Sequence, residues 1–139
     1  MTGSTGPRIL VVDDMPDTRR LMRRVLELAG MFVIEAGSGE AALEQIVTAR
    51  PALVVLDLRL PGMSGLEVAR WVRAHADRAI AGTILLACSA SVQPETQLEA
   101  LDAGCDAFEG KPFDIRAFGD TIRGLIERPP TDRLVGSTG

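Results

Sequence analysis

Five residues in this sequence carry side chains suited to phosphoryl and cation chemistry, and each stands just beyond a short apolar run. Asp13 and Asp14 follow RILVV, Asp57 follows LVVL, Ser89 follows TILLAC, and Lys111 comes shortly after AFE. Carboxylate oxygens are hard donors of the kind Mg2+ takes, and Mg2+ keeps several waters when it binds. Neighbouring residues in an extended segment point apart, so one of Asp13 and Asp14 would reach a cation directly and the other through water. Three carboxylates gathered in one place repel one another, and a divalent cation or the Lys111 ammonium would relieve that repulsion.

Asp57 ends its apolar run inside DLRLPGMSG, where Leu60, Pro61 and Gly62 make a turn and Gly65 opens the next helix. A carboxylate is a weak nucleophile, yet it forms acyl phosphates when the leaving group is good and the charge is neutralised. Ser89 offers one hydroxyl donor, and the small residues Ala90 and Ser91 leave room beside it. Lys111 is followed by Pro112; a cis bond between them would turn the chain and bring the ammonium back toward the other residues. Each residue also has an ordinary reading. Asp13-Asp14 serves equally well as a polar turn ahead of a helix, and Ser89 as a helix cap. On these residues alone both readings stay open.

The elements that position them follow from periodicity. Short apolar runs at residues 8–12, 32–36, 53–56, 83–88 and 107–109 alternate with segments of helical period at 18–29, 40–48, 66–72, 95–103 and 115–126. Gly30 stops the first helix and Ser38 caps the second. The 95–103 helix is the weakest, with Leu98 and Leu101 as its expected anchors. Five strand-then-helix units with near-continuous apolar strands predict an α/β fold, a five-stranded parallel sheet covered on both faces by five helices. Right-handed crossovers place the carboxyl ends of all strands on one edge, where such sheets bind ligands. Residues 1–7 and 129–139 lack a usable period and are expected as disordered tails, the second also as the start of a linker; the domain is residues 8–128.

Composition excludes several classes. Hydrophobic residues at 46% and charged ones at 24% describe a globular chain, and a net charge of −4 argues against direct nucleic-acid binding. Cys88 and Cys105 are the only cysteines and His75 the only histidine, too few for a structural zinc site. The cysteines read as small buried thiols in a reducing cytosol, so a cytoplasmic location without membrane insertion is expected. The turn after the first strand, DDMPD, has no glycine for a dinucleotide fingerprint, and no GxxxxGK[ST] occurs.

VVDD (11–14), LDLRLPGMSG (56–65), ACSAS (87–91), KPF (111–113) and the AGSGEAALE stretch, taken in order, resemble the receiver domain of two-component response regulators. The resemblance covers residues 8 to about 127. It implies a flavodoxin-like three-layer sandwich with sheet order 2-1-3-4-5, and Asp57 as phosphoacceptor. It implies Mg2+ held by Asp13, Asp14, Asp57 and the backbone carbonyl of Arg59, with Lys111 on the phosphoryl group. Ser89 would be the switch hydroxyl and Phe108 the aromatic that turns inward with it. The donor would be a phosphohistidine on a histidine kinase or histidine phosphotransfer protein. Arg59 departs from the uncharged residue many receivers carry there; pairing on the surface, contact with the phosphoryl group and hindrance of hydrolytic water are its three readings.

Two outputs are expected from this resemblance. In one, a stand-alone receiver binds a downstream protein or a second copy through the 95–127 face, or relays phosphate onward. In the other, the chain is a receiver module from a longer response regulator or hybrid kinase.

Overall fold

The computed structural model describes residues 6–128. In chain order the elements are β1 (Arg8–Val12), α1 (Pro16–Leu28), β2 (Phe32–Ala36), α2 (Gly39–Ala49), β3 (Leu53–Asp57), α3 (Gly65–Arg73), α4 (Arg78–Ala81), β4 (Ile84–Ser89), α5 (Pro94–Asp102), β5 (Ala107–Gly110) and α6 (Ile115–Glu127). The strands form one parallel sheet in the order β2-β1-β3-β4-β5. Of the tails expected at 1–7 and 129–139, residues 1–5 and 129–139 lie outside the described residues. None of the described helices is long and apolar enough to cross a membrane.

The expectation of five helices is corrected to six among the described residues. The addition is α4, a single turn between α3 and β4. Asp77 Oδ1 accepts the Ala79 N–H at 2.9 Å and starts it, while Ile80 is buried beneath it. Four residues are too few to display a 3.6-residue period, so no pattern announced this turn.

Alternation along the strands builds two cores. Leu10, Val12, Val54, Leu56, Leu85 and Ala87 point to the side covered by α2, α3, α4 and α5. Ile9, Val11, Leu53, Val55 and Leu86 point to the other, where Met22 and Leu26 of α1 meet Phe118 and Ile122 of α6. Both sides being covered explains why the strands are apolar throughout rather than alternating.

The helix starts follow local chemistry. Pro16 opens α1, where its missing N–H costs nothing. Ser38 Oγ accepts the Ala41 N–H at 3.1 Å, and Ser64 with Glu67 forms a reciprocal capping box on α3. At the far edge of the sheet, Arg73 donates to the carbonyls of Gly104, Ala81 and Thr83 and pairs with Asp106 at 2.8 Å. One guanidinium thus joins α3, α4 and the turn before β5.

A second correction concerns α5. Leu98 and Leu101 are 65% and 54% exposed, and the helix is seated instead by Ala100 and Ala103. Positions 100 and 103 share one face of the helix and 98 and 101 another; the alanine face is the one turned to the sheet. Alanine methyls bury far less apolar area than leucines, so α5 is held weakly.

Candidate active site

Parallel pairing brings the strand ends together. Val12 is in register with Leu56, and Asp57 with Cys88, so Asp13 leaves β1 beside the end of β3. Ser89 pairs with Gly110, which places Lys111 one residue beyond the end of the ladder. The Lys111 N–H donates to the Ser89 carbonyl at 2.9 Å, and the Lys111–Pro112 peptide bond is cis. From there the Lys111 ammonium donates to Asp13 Oδ2 at 2.7 Å and to Asp57 Oδ2 at 3.1 Å.

Asp57 is 5% exposed and Asp13 1%. The second oxygen of each is also occupied: Asp57 Oδ1 accepts the Arg59 N–H and Asp13 Oδ1 the Met15 N–H, both at 2.9 Å. Asp14 is half-buried, and among the described residues its carboxylate makes no hydrogen bond or ion pair. Asp13, Asp14 and Asp57 each place a carboxylate oxygen within 4.8 Å of the others. The donor set is all oxygen and anionic, which suits a hard divalent cation. The residues present therefore fit a metal ion.

Burial pushes the Asp57 carboxyl above the ordinary aspartate value, against the opposing pull of the Arg59 N–H and Lys111. Burial works against the charge on Lys111, but its hydrogen bonds to Asp13 and Asp57 carry its pKa above the usual lysine value. The ammonium stays protonated at neutral pH and supplies fixed positive charge at the mouth of β3.

Gly65 shapes the space behind Asp57. A Cβ at this position would lie 2.2 Å from the Asp57 carbonyl oxygen and 2.8 Å from Leu58 Cα. Only glycine lets the start of α3 approach the strand end this closely.

The remaining expected residues lie around this centre. Ser89 is fully buried and its Oγ accepts the Ser91 N–H at 3.1 Å, leaving its own proton available to donate. Ser91 Oγ in turn is 2.9 Å from Thr96 Oγ1 in the first turn of α5. Phe108, opposite Ala87 in the ladder, is half-buried against the core on the α5 side. Arg59 meets Asp57 through its N–H, and its side chain is exposed. Sequence reasoning missed Arg19, whose Nη1 donates to the Asp13 carbonyl at 2.7 Å, and Glu35, which holds Arg19 Nε at 2.8 Å. No spacing signal links residues from different elements in this way.

Comparison with known proteins agrees with this geometry. Residues 9–123 match the response regulator receiver domain family. The chain is 36% identical over 131 residues to the response regulator MprA of Mycolicibacterium vanbaalenii, covering 94% of this chain and 55% of that protein. It is 32% identical to the phosphate regulon transcriptional regulatory protein PhoB of Pseudomonas aeruginosa, covering 88% of this chain and 53% of that protein. The chain thus spans about half the length of these relatives. Among solved structures, the chemotaxis response regulator CheY4 of Vibrio cholerae superposes with a TM-score of 0.80 at 27% identity, covering 87% of this chain and 99% of that one. The Francisella response regulator 1452 receiver domain gives 0.80 at 26% identity, with 88% and 98% covered. With an acidic cluster and a single lysine arranged as a phosphoacceptor site at the carboxyl edge of a 2-1-3-4-5 sheet, the chain belongs to the response regulator receiver domain family.

Proposed function

We propose that this protein is a phosphorylation switch that accepts a phosphoryl group on Asp57 from a phosphohistidine of a histidine kinase or histidine phosphotransfer protein. The observation that carries the reading is the placement of Asp57: nearly buried, in contact with Lys111, and inside the acidic cluster. In the reaction a carboxylate oxygen of Asp57 attacks phosphorus as the P–N bond to the donor imidazole breaks, its electron pair leaving with the nitrogen. Hydrolysis by water reverses the modification.

The chain's own residues do most of the positioning. Lys111 neutralises charge on the transferring oxygens, and the Ser89 hydroxyl donates to one of them. Asp13, Asp14, Asp57 and the carbonyl of Arg59 are the groups that would hold Mg2+, which supplies charge neutralisation at the phosphoryl oxygens. The Arg59 N–H fixes the rotamer of Asp57, and the glycine at 65 leaves the strand end undistorted.

The output surface in this reading is the face made by α5, β5 and α6, residues 95–127. Two features support it: α5 is seated by alanines, and a hydrogen-bonded path runs from Ser89 Oγ to the Ser91 N–H and on from the Ser91 hydroxyl to Thr96 at its start. Movement of Ser89 toward a phosphoryl group pulls on this path and gives Phe108 space to turn inward, two packed arrangements with different surfaces. The partner on that face is a downstream protein or a second copy, and the setting is cytoplasmic. Residues 8–128 form the receiver unit, acting alone, as a relay, or within a longer regulator.

The test is intact-mass measurement after incubation with acetyl phosphate and Mg2+. One phosphoryl adduct, labile to hydroxylamine and lost when EDTA replaces the metal, is expected. An unmodified protein under conditions that phosphorylate another receiver overturns the reading.

A further inference from the structure

The acidic loop is held from the side by an ion-pair network that the phosphoacceptor chemistry does not account for. Every polar atom of Asp13 is occupied. Its N–H donates to the Ala36 carbonyl at 3.2 Å, its carboxylate takes the Met15 N–H and Lys111, and its carbonyl takes Arg19 Nη1 at 2.7 Å. Asp14 is the opposite case, since no hydrogen bond or ion pair among the described residues aims its carboxylate. With no polar partner to fix it, its direction depends on the backbone that carries it.

That backbone begins with the peptide joining Asp13 to Asp14, a rigid plane whose carbonyl end is the atom Arg19 grips. The guanidinium is itself oriented. Arg19 Nε donates to Glu35 Oε1 at 2.8 Å, and the other oxygen of Glu35 takes Arg23 Nη1 at 2.8 Å. Arg19 is 21% and Glu35 25% exposed, so the contact is sheltered, and Gly37 leaves it room: a Cβ there would lie 3.1 Å from Arg19 Nη1. Glu35 pairs with both Arg19 and Arg23, and Glu27 pairs with Arg23, so two carboxylates offset the two guanidinium charges.

We infer that Arg19 is a positioning residue: by clamping the Asp13–Asp14 peptide it aims Asp14 at the cation site, with Glu35 on β2 holding the clamp. The inference rests on the proposed function above. It assigns no contact between Arg19 and the metal or phosphoryl group.

The experiment is calorimetric titration of the full chain with Mg2+ alone, with thermal unfolding of every variant as a check on folding. Arg19→Ala is expected to weaken Mg2+ binding about tenfold, the low end of the loss seen when an outer partner of a metal ligand is removed. Arg23→Ala removes the other partner of Glu35 but touches nothing in the acidic loop; it should bind Mg2+ within about twofold of wild type. In an Asp14→Asn background, Arg19→Ala should add no further loss beyond about twofold, because the residue it aims is already disabled. Should Arg19→Ala not fold, Arg19→Lys decides the matter, since one ammonium replaces a guanidinium that serves Asp13 and Glu35 through separate atoms; a smaller fall in the same direction is expected. Wild-type affinity in the folded Arg19 variant overturns the inference. So does an equal loss in Arg23→Ala, or a full second loss on top of Asp14→Asn. A wild-type protein that binds no Mg2+ overturns the metal reading as well, which separates the two failures.

Discussion

Lys111 Nζ stands 2.7 Å from Asp13 Oδ2 and 3.1 Å from Asp57 Oδ2, so a single ammonium holds two carboxylates that the fold has buried. Lys111→Met keeps the side-chain length and leaves both carboxylates without that partner. Breaking a buried pair from one side costs about 3 kcal/mol or somewhat more. Urea unfolding in EDTA should show a loss of that order, and millimolar Mg2+ should restore part of it, because a cation that binds only the folded form stabilises it. Equal stability of variant and wild type in EDTA would remove the structural role assigned to Lys111.

Gly65→Ala is the sharpest steric test of the site. The added methyl has to displace the Asp57 carbonyl or the start of α3. Overpacking of this kind costs about 1–3 kcal/mol, and it bears directly on the aim of Asp57. The variant should unfold at lower urea concentration and take up phosphate from acetyl phosphate more slowly than wild type. A variant as stable and as reactive as wild type would show that the strand end has slack.

The hydrogen-bonded path from Ser89 through Ser91 to Thr96 can be cut with little change of shape. Thr96→Val removes the partner of Ser91 Oγ. As an exchange of one hydrogen bond at a partly buried site it should cost about 1 kcal/mol or less. In the account given, amide shifts caused by a phosphoryl mimic reach α5 in wild type and stop near Ser91 in the variant. Undiminished shifts along α5 would send the signal by another route.

The two thiols carry a prediction about alkaline pH. Burial pushes Cys88 up from 9.0 to about 12 and Cys105 from 9.0 to about 11. A group whose folded pKa lies above its unfolded value stabilises the fold below the unfolded pKa and loses that contribution as pH rises toward the folded one. The window here opens near 9.0, the free-thiol value, and extends to about 12. Wild type should lose stability more steeply than Cys88→Ala as pH is raised through this window. Near neutral pH a thiol reagent should modify neither cysteine until the protein is unfolded. Rapid labelling of the native protein would contradict the burial.

Much of this was legible before the structure, and the reason is positional. In a parallel sheet every strand ends on the same edge, so Asp13, Asp57 and Ser89 could be placed together by locating where apolar runs stop. Strand order needed the family resemblance, since apolar runs do not name their neighbours. The single turn of α4 was too short for any period to reveal. Leu98 and Leu101 were misjudged because size was taken as a guide to burial, whereas the face of α5 that meets the sheet carries Ala100 and Ala103. Arg19, Glu35, Arg73 and Asp106 were invisible for a different reason. A charged residue shows its type in the sequence but not its partner, and these pairs span 16 and 33 positions.

The measurement that bears most directly on the central claim is chemical location of the phosphoryl group. Reduction of the phosphorylated protein with borohydride converts an acyl phosphate on aspartate to homoserine at the same position, which peptide mass mapping reads residue by residue. The account predicts homoserine at position 57 and nowhere else, and none in Asp57→Asn treated identically. Homoserine at position 13 or 14 with Asp57 intact would contradict it.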